Sequence, residues 1–370
     1  MKFTISKNDL LQALNKVKGI APAKAAIPVL TNVLLEAEGS SLKLTSTDLK
    51  INIEYTIDCT VQESGATTVH CQRIVMLLNE LPDTDVNLSL LDNGILELQC
   101  GLITTKLLTV SADEFPTISD MSSIEPIVFK QAVLKKLFQK TSYAICTDQS
   151  RYNLTGLLLE TKADGMRVVA TDGRRLTLAI SDEAVSSATE MKAIIPAKTI
   201  HELQTHLSDD EEKSVEVYFS ENRAAFVFDG LRISCALIEG NFPNYELVIP
   251  KKMSKEFILE LETFRQCIRR ASAMTNDKFR NVKFVFNDDN MQLIVKTPDV
   301  GEYEESLPVG YQGEKMEISF NPYFILDVLR YIEGDQVCLQ FKDGSSPGMI
   351  KPYTEAPVDS YVNVIMPIRS

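Results

Sequence analysis

Histidine is scarce in this chain: His70, His201 and His206 are the only three among 370 residues. They are too few and too dispersed to nominate a metal centre. The seven cysteines (Cys59, Cys71, Cys100, Cys146, Cys235, Cys267 and Cys338) are odd in number, scattered and without a CxxC pair. They read as reduced core residues, not as a disulfide frame or a zinc site. No apolar run reaches the roughly 18 residues of a membrane span. The start, Met1-Lys2-Phe3-Thr4-Ile5, alternates like a strand and lacks the basic, apolar and small-residue order of a signal peptide. The expectation is a cytoplasmic protein with no use for a membrane.

Phosphate and nucleophile motifs are missing as well. There is no GxxxxGK[ST] loop, no GxGxxG after a strand, no GxSxG and no HExxH, so neither a P-loop nor those hydrolytic sites are expected. Asp172, followed by Gly173-Arg174-Arg175, has no identifiable base, metal ligand or oxyanion partner. An Asp-Gly bend at a strand end is the simpler reading. The acidic runs Asp209-Asp210-Glu211-Glu212 and Glu302-Tyr303-Glu304-Glu305 lack the spacing of a calcium loop and read as exposed solubilising charge. No catalytic residue, metal or cofactor is expected. A net charge of −13 argues against a protein basic all over its surface, but it leaves room for a basic stripe on an acidic body.

What is present is a repeat. Leu30-Thr31-Asn32-Val33-Leu34-Leu35-Glu36 recurs as Leu154-Thr155-Gly156-Leu157-Leu158-Leu159-Glu160, and Thr47-Asp48 recurs at the same offset of 124 as Thr171-Asp172. That period is too long for a solenoid unit and indicates repeated domains. A fainter third copy has the same strand-turn-strand shape in Val282–Phe286, the turn Asn287-Asp288-Asp289-Asn290, and Met291–Thr297. Phe115-Pro116 and Phe242-Pro243, 127 residues apart, mark the ends of the first two copies. Domains over 1–120, 121–250 and 251–370 follow, consistent with a length that suits two or three cores.

Each copy carries two helices among alternating strands. The first helix of each copy is expected near 6–18, 129–142 and 260–271. Their buried stripes are Leu10, Leu11, Leu14 and Val17; Val133, Leu134, Leu137 and Phe138; and Phe264, Cys267, Ile268 and Ala271. The second helix is expected near 71–80, 196–207 and 321–332, the last opened by Asn321-Pro322 as a cap followed by proline. Turns at Asp92-Asn93-Gly94 and Asp343-Gly344-Ser345 separate strands. The fold class is therefore α+β with an antiparallel bias. Basic residues collect on the polar helix faces. Lys16, Lys18 and Lys24 follow the first stripe; Lys135, Lys136 and Lys140 lie on the second; Arg265, Arg269 and Arg270 lie on the third; Arg73 and Lys198 open two other helices. On one helix such charges are ordinary solvated lysines. Their recurrence in each copy suggests a continuous basic surface.

Several stretches carry a resemblance that runs from end to end. They are Val169-Ala170-Thr171-Asp172-Gly173-Arg174-Arg175-Leu176, Gly240-Asn241-Phe242-Pro243-Asn244-Tyr245, Asn276-Asp277-Lys278-Phe279-Arg280 and the tail Val364-Ile365-Met366-Pro367-Ile368-Arg369. The chain resembles the beta subunit of bacterial DNA polymerase III, the sliding clamps. The resemblance implies three clamp-type domains, each with two helices on antiparallel sheets, and a head-to-tail homodimer closing a ring around double-stranded DNA. It implies a non-catalytic processivity factor that tethers the replicative DNA polymerase. An ATP-dependent clamp loader, other polymerases, ligase and mismatch-repair proteins are further implied partners, through short Gln-Leu-x-Leu-Phe-type motifs. The alternative is a peptide-binding scaffold that does not encircle DNA.

Residue by residue, the resemblance assigns DNA contacts to Lys24, Arg73, Gln149, Tyr152, Asn153 and Lys198. The partner-peptide groove falls on Arg151, Leu154, Thr171, Gly173, Arg174, Arg175 and Leu176. It continues on Pro243, Leu247 and Val248, and on the tail residues Met366, Pro367, Ile368 and Arg369. Apolar anchors would set affinity, a flexible methionine would adapt to several partners, and arginines would frame the rim. Asn153 stands where the family often has an aromatic residue, Arg174 where it often has histidine, and Leu247 where it often has arginine. The dimer seam would bring Leu107, on a 102–110 strand, to Ala273 and Met274 of the other chain.

Overall fold

The computed structural model describes residues 1–118, 121, 123–162, 165–181, 190–354 and 360–369. The expected first domain border, at residue 120, lies outside the described residues. Six α-helices and twenty-five strands are found among the described residues, and they repeat one plan three times. The first copy runs β1 (Lys2–Ser6), α1 (Lys7–Val17), β2 (Asn32–Glu38), β3 (Ser41–Thr47), β4 (Ile51–Asp58), β5 (Thr60–Glu63), β6 (Gly65–His70), α2 (Cys71–Glu80), β7 (Asp85–Leu90), β8 (Ile95–Cys100) and β9 (Ile103–Val110). The second runs β10 (Ile127–Lys130), α3 (Gln131–Thr141), β11 (Gly156–Lys162), β12 (Gly165–Thr171), β13 (Arg175–Ser181), β14 (Met191–Pro196), α4 (Ala197–His206), β15 (Ser214–Phe219), β16 (Arg223–Phe228) and β17 (Leu231–Ala236). The third runs β18 (Lys255–Glu260), α5 (Leu261–Ala273), β19 (Val282–Asn287), β20 (Asn290–Thr297), β21 (Gly301–Pro308), β22 (Met316–Phe320), α6 (Pro322–Leu329), β23 (Gln336–Phe341), β24 (Gly348–Pro352) and β25 (Tyr361–Ile365).

The helices follow from their stripes and caps. Leu10, Ala13, Leu14 and Val17 of α1 are buried, and the Ser6 side chain accepts from the Asp9 N–H, which satisfies one of the first-turn donors. On α5, Phe264, Cys267, Ile268 and Ala271 are buried and the Glu260 carboxylate caps Glu262 and Thr263. Asn321 caps α6 through the Tyr323 N–H, with Pro322 at the first position. This last helix is shorter than expected. It stops at Leu329, and the chain turns through Arg330 and Tyr331 toward Gly334, whose φ of 86° favours glycine.

The chain divides into two compact units, Met1–Ala132 with His201–Leu237 and Val133–Ile200 with Ile238–Ser370. In the first unit one sheet of 13 strands runs β10-β15-β16-β17-β4-β3-β2-β6-β9-β8-β7-β1-β5. In the second, eight strands run β14-β11-β12-β13-β25-β24-β23-β18, and four run β21-β20-β19-β22. All the ladders are antiparallel. In each unit a sheet of one copy is continued by a sheet of the next: β4 pairs with β17, and β13 pairs with β25. The first unit is filled by Phe3, Leu14, Leu35, Leu42 and Leu78. The second holds an aromatic group in which Phe257, Phe286, Tyr311 and Phe341 pack ring against ring. All seven cysteines are free and six are buried. Among the described residues no helix is long and apolar enough to cross a membrane, and no group of three or more His, Cys, Asp or Glu side chains is placed to hold a metal.

Candidate functional site

The Thr-Asp bend is structural in both copies. Asp172 Oδ1 accepts from the N–H groups of Arg174 and Arg175 at 2.9 and 3.0 Å. Asp48 Oδ1 does the same for Lys50 and Ile51 at 3.1 and 2.9 Å. The intervening residue has positive φ in each case, Gly173 at 80° and Leu49 at 75°. Leucine accepts strain there that glycine does not. A Cβ on Gly173 would also lie 2.9 Å from Arg151 Nη1.

That bend delivers β13 to β25. Leu176 pairs with Val364 and Leu178 with Val362, and these four belong to one apolar cluster with Cys146, Leu154, Leu158, Val169, Phe242, Tyr245 and Met349, against which Val248 packs half-buried. The tail is held along its margin. The Met366 N–H donates to the Arg174 carbonyl at 2.9 Å, and the Ile368 N–H to the Ser319 carbonyl at 2.8 Å. Met366 and Pro367 are half-buried, while Ile368, Arg369, Pro243 and Leu247 are exposed. Leu247 reaches 77% exposure. Thr171 spends its hydroxyl on the bend, donating to the Arg175 carbonyl at 2.6 Å. All fourteen expected groove residues thus lie in one unit, with Leu154 and Leu176 in the apolar cluster, Val248 packed against it and the tail along its margin.

The arginines divide. Arg151 donates through Nη1 to the Asp172 carbonyl at 2.5 Å and through Nε to Asp148 at 3.2 Å. Arg174 is exposed. Arg175, expected on the rim, points inward instead. Its guanidinium donates to Asp172 at 3.1 Å, to Asp327 at 2.6 Å and to the Tyr143 carbonyl at 2.5 Å. It also lies over the rings of Tyr143 and Phe324, and only 12% of its side chain is exposed. Three acceptors hold three of its five N–H donors in a fixed fork, so it braces the bend and does not frame the rim. Beneath it Asn363 Oδ1 accepts from Tyr143 and Thr177, each at 2.6 Å. Burial pushes the phenols of Tyr143 and Tyr361 well above their ordinary pKa, so this network stays neutral.

Among the expected DNA contacts, Gln149 and Tyr152 are exposed on the turn Gln149–Leu154, and Lys198 is exposed at the second position of α4. Asn153 donates its amide to the Asn241 carbonyl at 2.8 Å, so that group ties the following segment down. In the other unit Lys24 is exposed after α1 and Arg73 in the first turn of α2. The helix faces are less freely basic than their sequence suggests. Lys136 and Lys140 both reach Glu333, Arg265 reaches Glu262, and Arg270 holds Glu305. The Lys136–Glu333 pair is exposed on both sides and therefore weak, whereas Lys140 and Arg265 are largely covered.

At the expected seam residues, Leu107 is half-buried on β9, Ala273 is exposed and Met274 half-buried at the end of α5. Sequence reasoning missed the more exposed neighbours Leu102, at 105%, and Leu108, at 84%. It also read Glu302–Glu305 as solubilising charge. Those residues lie on β21, which among the described residues is an edge strand paired only with β20. Glu305 accepts from Arg270, and this bond holds its carboxyl down at about 2.

Comparisons with known proteins agree over the whole chain. The profile for the DNA polymerase III beta subunit matches in three parts: its N-terminal domain at residues 1–119, its central domain at 128–244 and its C-terminal domain at 246–369. The beta sliding clamp of Vibrio cholerae is 32% identical over 370 residues, covering 100% of both chains. That of Caulobacter vibrioides is 33% identical over 376 residues, again with 100% of both covered. Among solved structures, the DNA polymerase III subunit beta of Pseudomonas aeruginosa superposes with a TM-score of 0.94 at 30% identity over 100% of both chains. A P. aeruginosa clamp bound to griselimycin superposes at 0.92, with 30% identity and 100% of both chains covered. The chain belongs to the DNA polymerase III beta subunit family, the bacterial sliding clamps.

Proposed function

We propose that two copies of this chain close head to tail into a ring that encircles duplex DNA, slides without sequence preference and tethers the replicative polymerase. The observation that carries this reading is the pattern of strand pairing between copies. The last strand of the second copy, β17, pairs with β4 of the first, and the last strand of the third, β25, pairs with β13 of the second. The same rule leaves β21 of the third copy and β9 of the first as the next partners. β21 has an unpaired edge, and β9 pairs with β6 only through Val110 and Thr109. An open edge is a template for another chain. A heterologous contact that repeats the internal one closes a ring, and Leu107 with its exposed neighbour Leu108 on one side, and Ala273 and Met274 on the other, would flank the seam.

A closed ring holds DNA by topology, so it needs little affinity. Lys24, Arg73, Gln149, Tyr152, Asn153 and Lys198 would line it, offset phosphate repulsion and permit sliding. The remaining acidic body, in a chain of net charge −13, would repel nucleic acid elsewhere. The chain itself would carry out no reaction. Its groove, over the Leu154, Leu176 and Val248 floor with the Met366–Arg369 tail, would take short Gln-Leu-x-Leu-Phe-type segments of the polymerase, the ATP-dependent loader, other polymerases, ligase and mismatch-repair proteins. It would work in the cytoplasm, with domains divided near 120 and 250. The test is retention on DNA. Loaded protein should persist on a nicked circular plasmid and be lost when the plasmid is cut. Equal loss from both forms would leave the non-encircling scaffold as the better reading.

A further inference from the structure

The Thr-Asp bend closes in the same way in both units, and in the second an arginine reaches out from it. Thr47 Oγ1 accepts from the Leu49 N–H at 2.9 Å, as Thr171 Oγ1 does from the Gly173 N–H at 3.0 Å. Each bend then receives a strand of the next copy. The Ala236 N–H donates to the Lys50 carbonyl at 2.9 Å, the counterpart of the bond from Met366 to the Arg174 carbonyl. The residue that follows is Ile51 in the first copy and Arg175 in the second. Ile51 is 2% exposed and carries no charge. The bend and its bond to the next copy therefore form without an arginine.

What Arg175 adds lies across the junction between copies. It stands on β13 of the second copy, and Asp327, which accepts from its Nη1 at 2.6 Å, stands on α6 of the third. Phe324 of the same helix covers the guanidinium at 4.4 Å. The same two copies supply the expected groove, Arg151 to Leu176 from the second and Met366 to Arg369 from the third. An unbroken run of bonds joins Asp327 to the tail. It passes from Asp327 to Arg175, from Arg175 to Asp172, from Asp172 to the Arg174 N–H, and from the Arg174 carbonyl to Met366. The first unit keeps a carboxylate at the matching place on α4, but this residue, Glu202, lies 3.7 Å from His206 of its own helix. The first junction is bridged elsewhere, by Glu54 of β4 and Arg232 of β17 at 3.5 Å.

We propose that Asp327 is a positioning residue of the peptide groove. It is not one of the groove residues and acts through Arg175, holding the bend that presents Arg174 and anchors the tail. The proposal rests on the peptide-binding reading above. Without the Asp327 carboxylate, Arg175 keeps Asp172 and the Tyr143 carbonyl but loses its hold on the third copy. The bend and the tail then shift together, and a peptide must order them as it binds. That ordering costs affinity although no contact with the peptide is removed. Gly173, at φ 80°, makes the restraint matter, because glycine leaves the bend freer than leucine does at the same place in the first unit. The Asp327 side chain is 43% exposed, so replacing it opens no cavity in the core.

The test compares the full chain with Asp327→Ala, with Asp327→Glu and, at the matching carboxylate of the first unit, with Glu202→Ala. A fluorescent Gln-Leu-Ala-Leu-Phe peptide reports affinity, and hydrogen exchange at the Met366 amide reports the tail bond. Asp327→Ala should weaken the peptide about tenfold and speed Met366 exchange about tenfold, the size of one lost charge-assisted hydrogen bond. Asp327→Glu, which can still accept from the guanidinium, should return both to within about threefold of the wild type. Glu202→Ala should change neither. Should Asp327→Ala fail to fold, Asp327→Asn keeps the shape, loses the charge and should show about a fivefold effect. Unchanged affinity or unchanged Met366 exchange in Asp327→Ala, no recovery in Asp327→Glu, or an equal loss in Glu202→Ala would overturn the proposal. A wild type that binds no peptide would sink the groove reading instead, and Met366 exchange alone would then judge the brace.

Discussion

The row Leu158-Val169-Leu178-Val362 and the row Leu34-Thr45-Glu54-Arg232 occupy matching strands at matching register, yet one lies in a buried apolar cluster and the other borders a charged cleft. Two residues along on the same face, the Leu176–Val364 pair corresponds to Asn52 and Ser234, where Asn52 Nδ2 donates to Ser234 Oγ at 3.0 Å. The backbone plan is thus indifferent to what the row contains. Side chains alone decide whether a junction between copies presents an apolar or a polar surface. A repeat whose copies were identical would offer the same groove at every junction. This chain confines the apolar floor to one of its two units.

Exchanging the rows is the strongest way to break that comparison. Leu178→Glu with Val362→Arg places a charged pair among buried aliphatics and should cost about 4 kcal/mol, read as a lower urea midpoint. A loss under about 1 kcal/mol would mean that the second row is as open as the first. Next in size is the division between neighbouring arginines. Arg175→Ala strands Asp172, Asp327 and the Tyr143 carbonyl and should cost about 3 kcal/mol. Arg174→Ala should stay within about 0.5 kcal/mol and alter only peptide binding; equal losses would merge the two roles. The reverse exchange, Glu54→Leu with Arg232→Val, should be neutral or up to about 2 kcal/mol stabilising in the same denaturation measurement, because a partly buried ion pair repays its desolvation poorly.

The smallest effect concerns acid. Glu305, bonded to Arg270, has its folded pKa depressed from 4.5 to about 2. A depressed carboxyl contributes stability that is present above 4.5 and is lost as the pH falls toward 2. Glu305→Gln should remove that part of the acid dependence, seen as a shallower fall in thermal midpoint over that window, and leave the midpoint's course above pH 5 unchanged. An unaltered acid limb would mean that the ion pair is too well screened to matter.

The sequence made the copies legible because identity at a fixed offset survives wherever a strand must fill the same core, as in Leu30–Glu36 and Leu154–Glu160. The helix stripes were legible for the same reason. Their ends followed caps such as Asn321-Pro322, although α6 stopped early at a turn that only Gly334 announced. The resemblance named residues distant in sequence, among them Leu154, Leu176 and the Met366–Arg369 tail, that the fold brings into one unit. The roles of Arg174 and Arg175 could not, because Asp327 is 152 residues from Arg175 and no local pattern links them. The open edge of β21 was hidden for a similar reason. Four polar or aromatic residues in a row look like solvated surface until pairing shows a strand with one side unused. The helix cations were overvalued, since partners such as Glu333 and Glu305 are remote in sequence.

The most direct measurement of the difference between the two units is the stoichiometry of peptide binding. A Gln-Leu-x-Leu-Phe peptide titrated calorimetrically at micromolar concentration should bind once per chain, and truncation before Met366 should abolish that binding while leaving the assembly state unchanged. Two equivalent sites per chain, or one site that survives the truncation, would contradict the account.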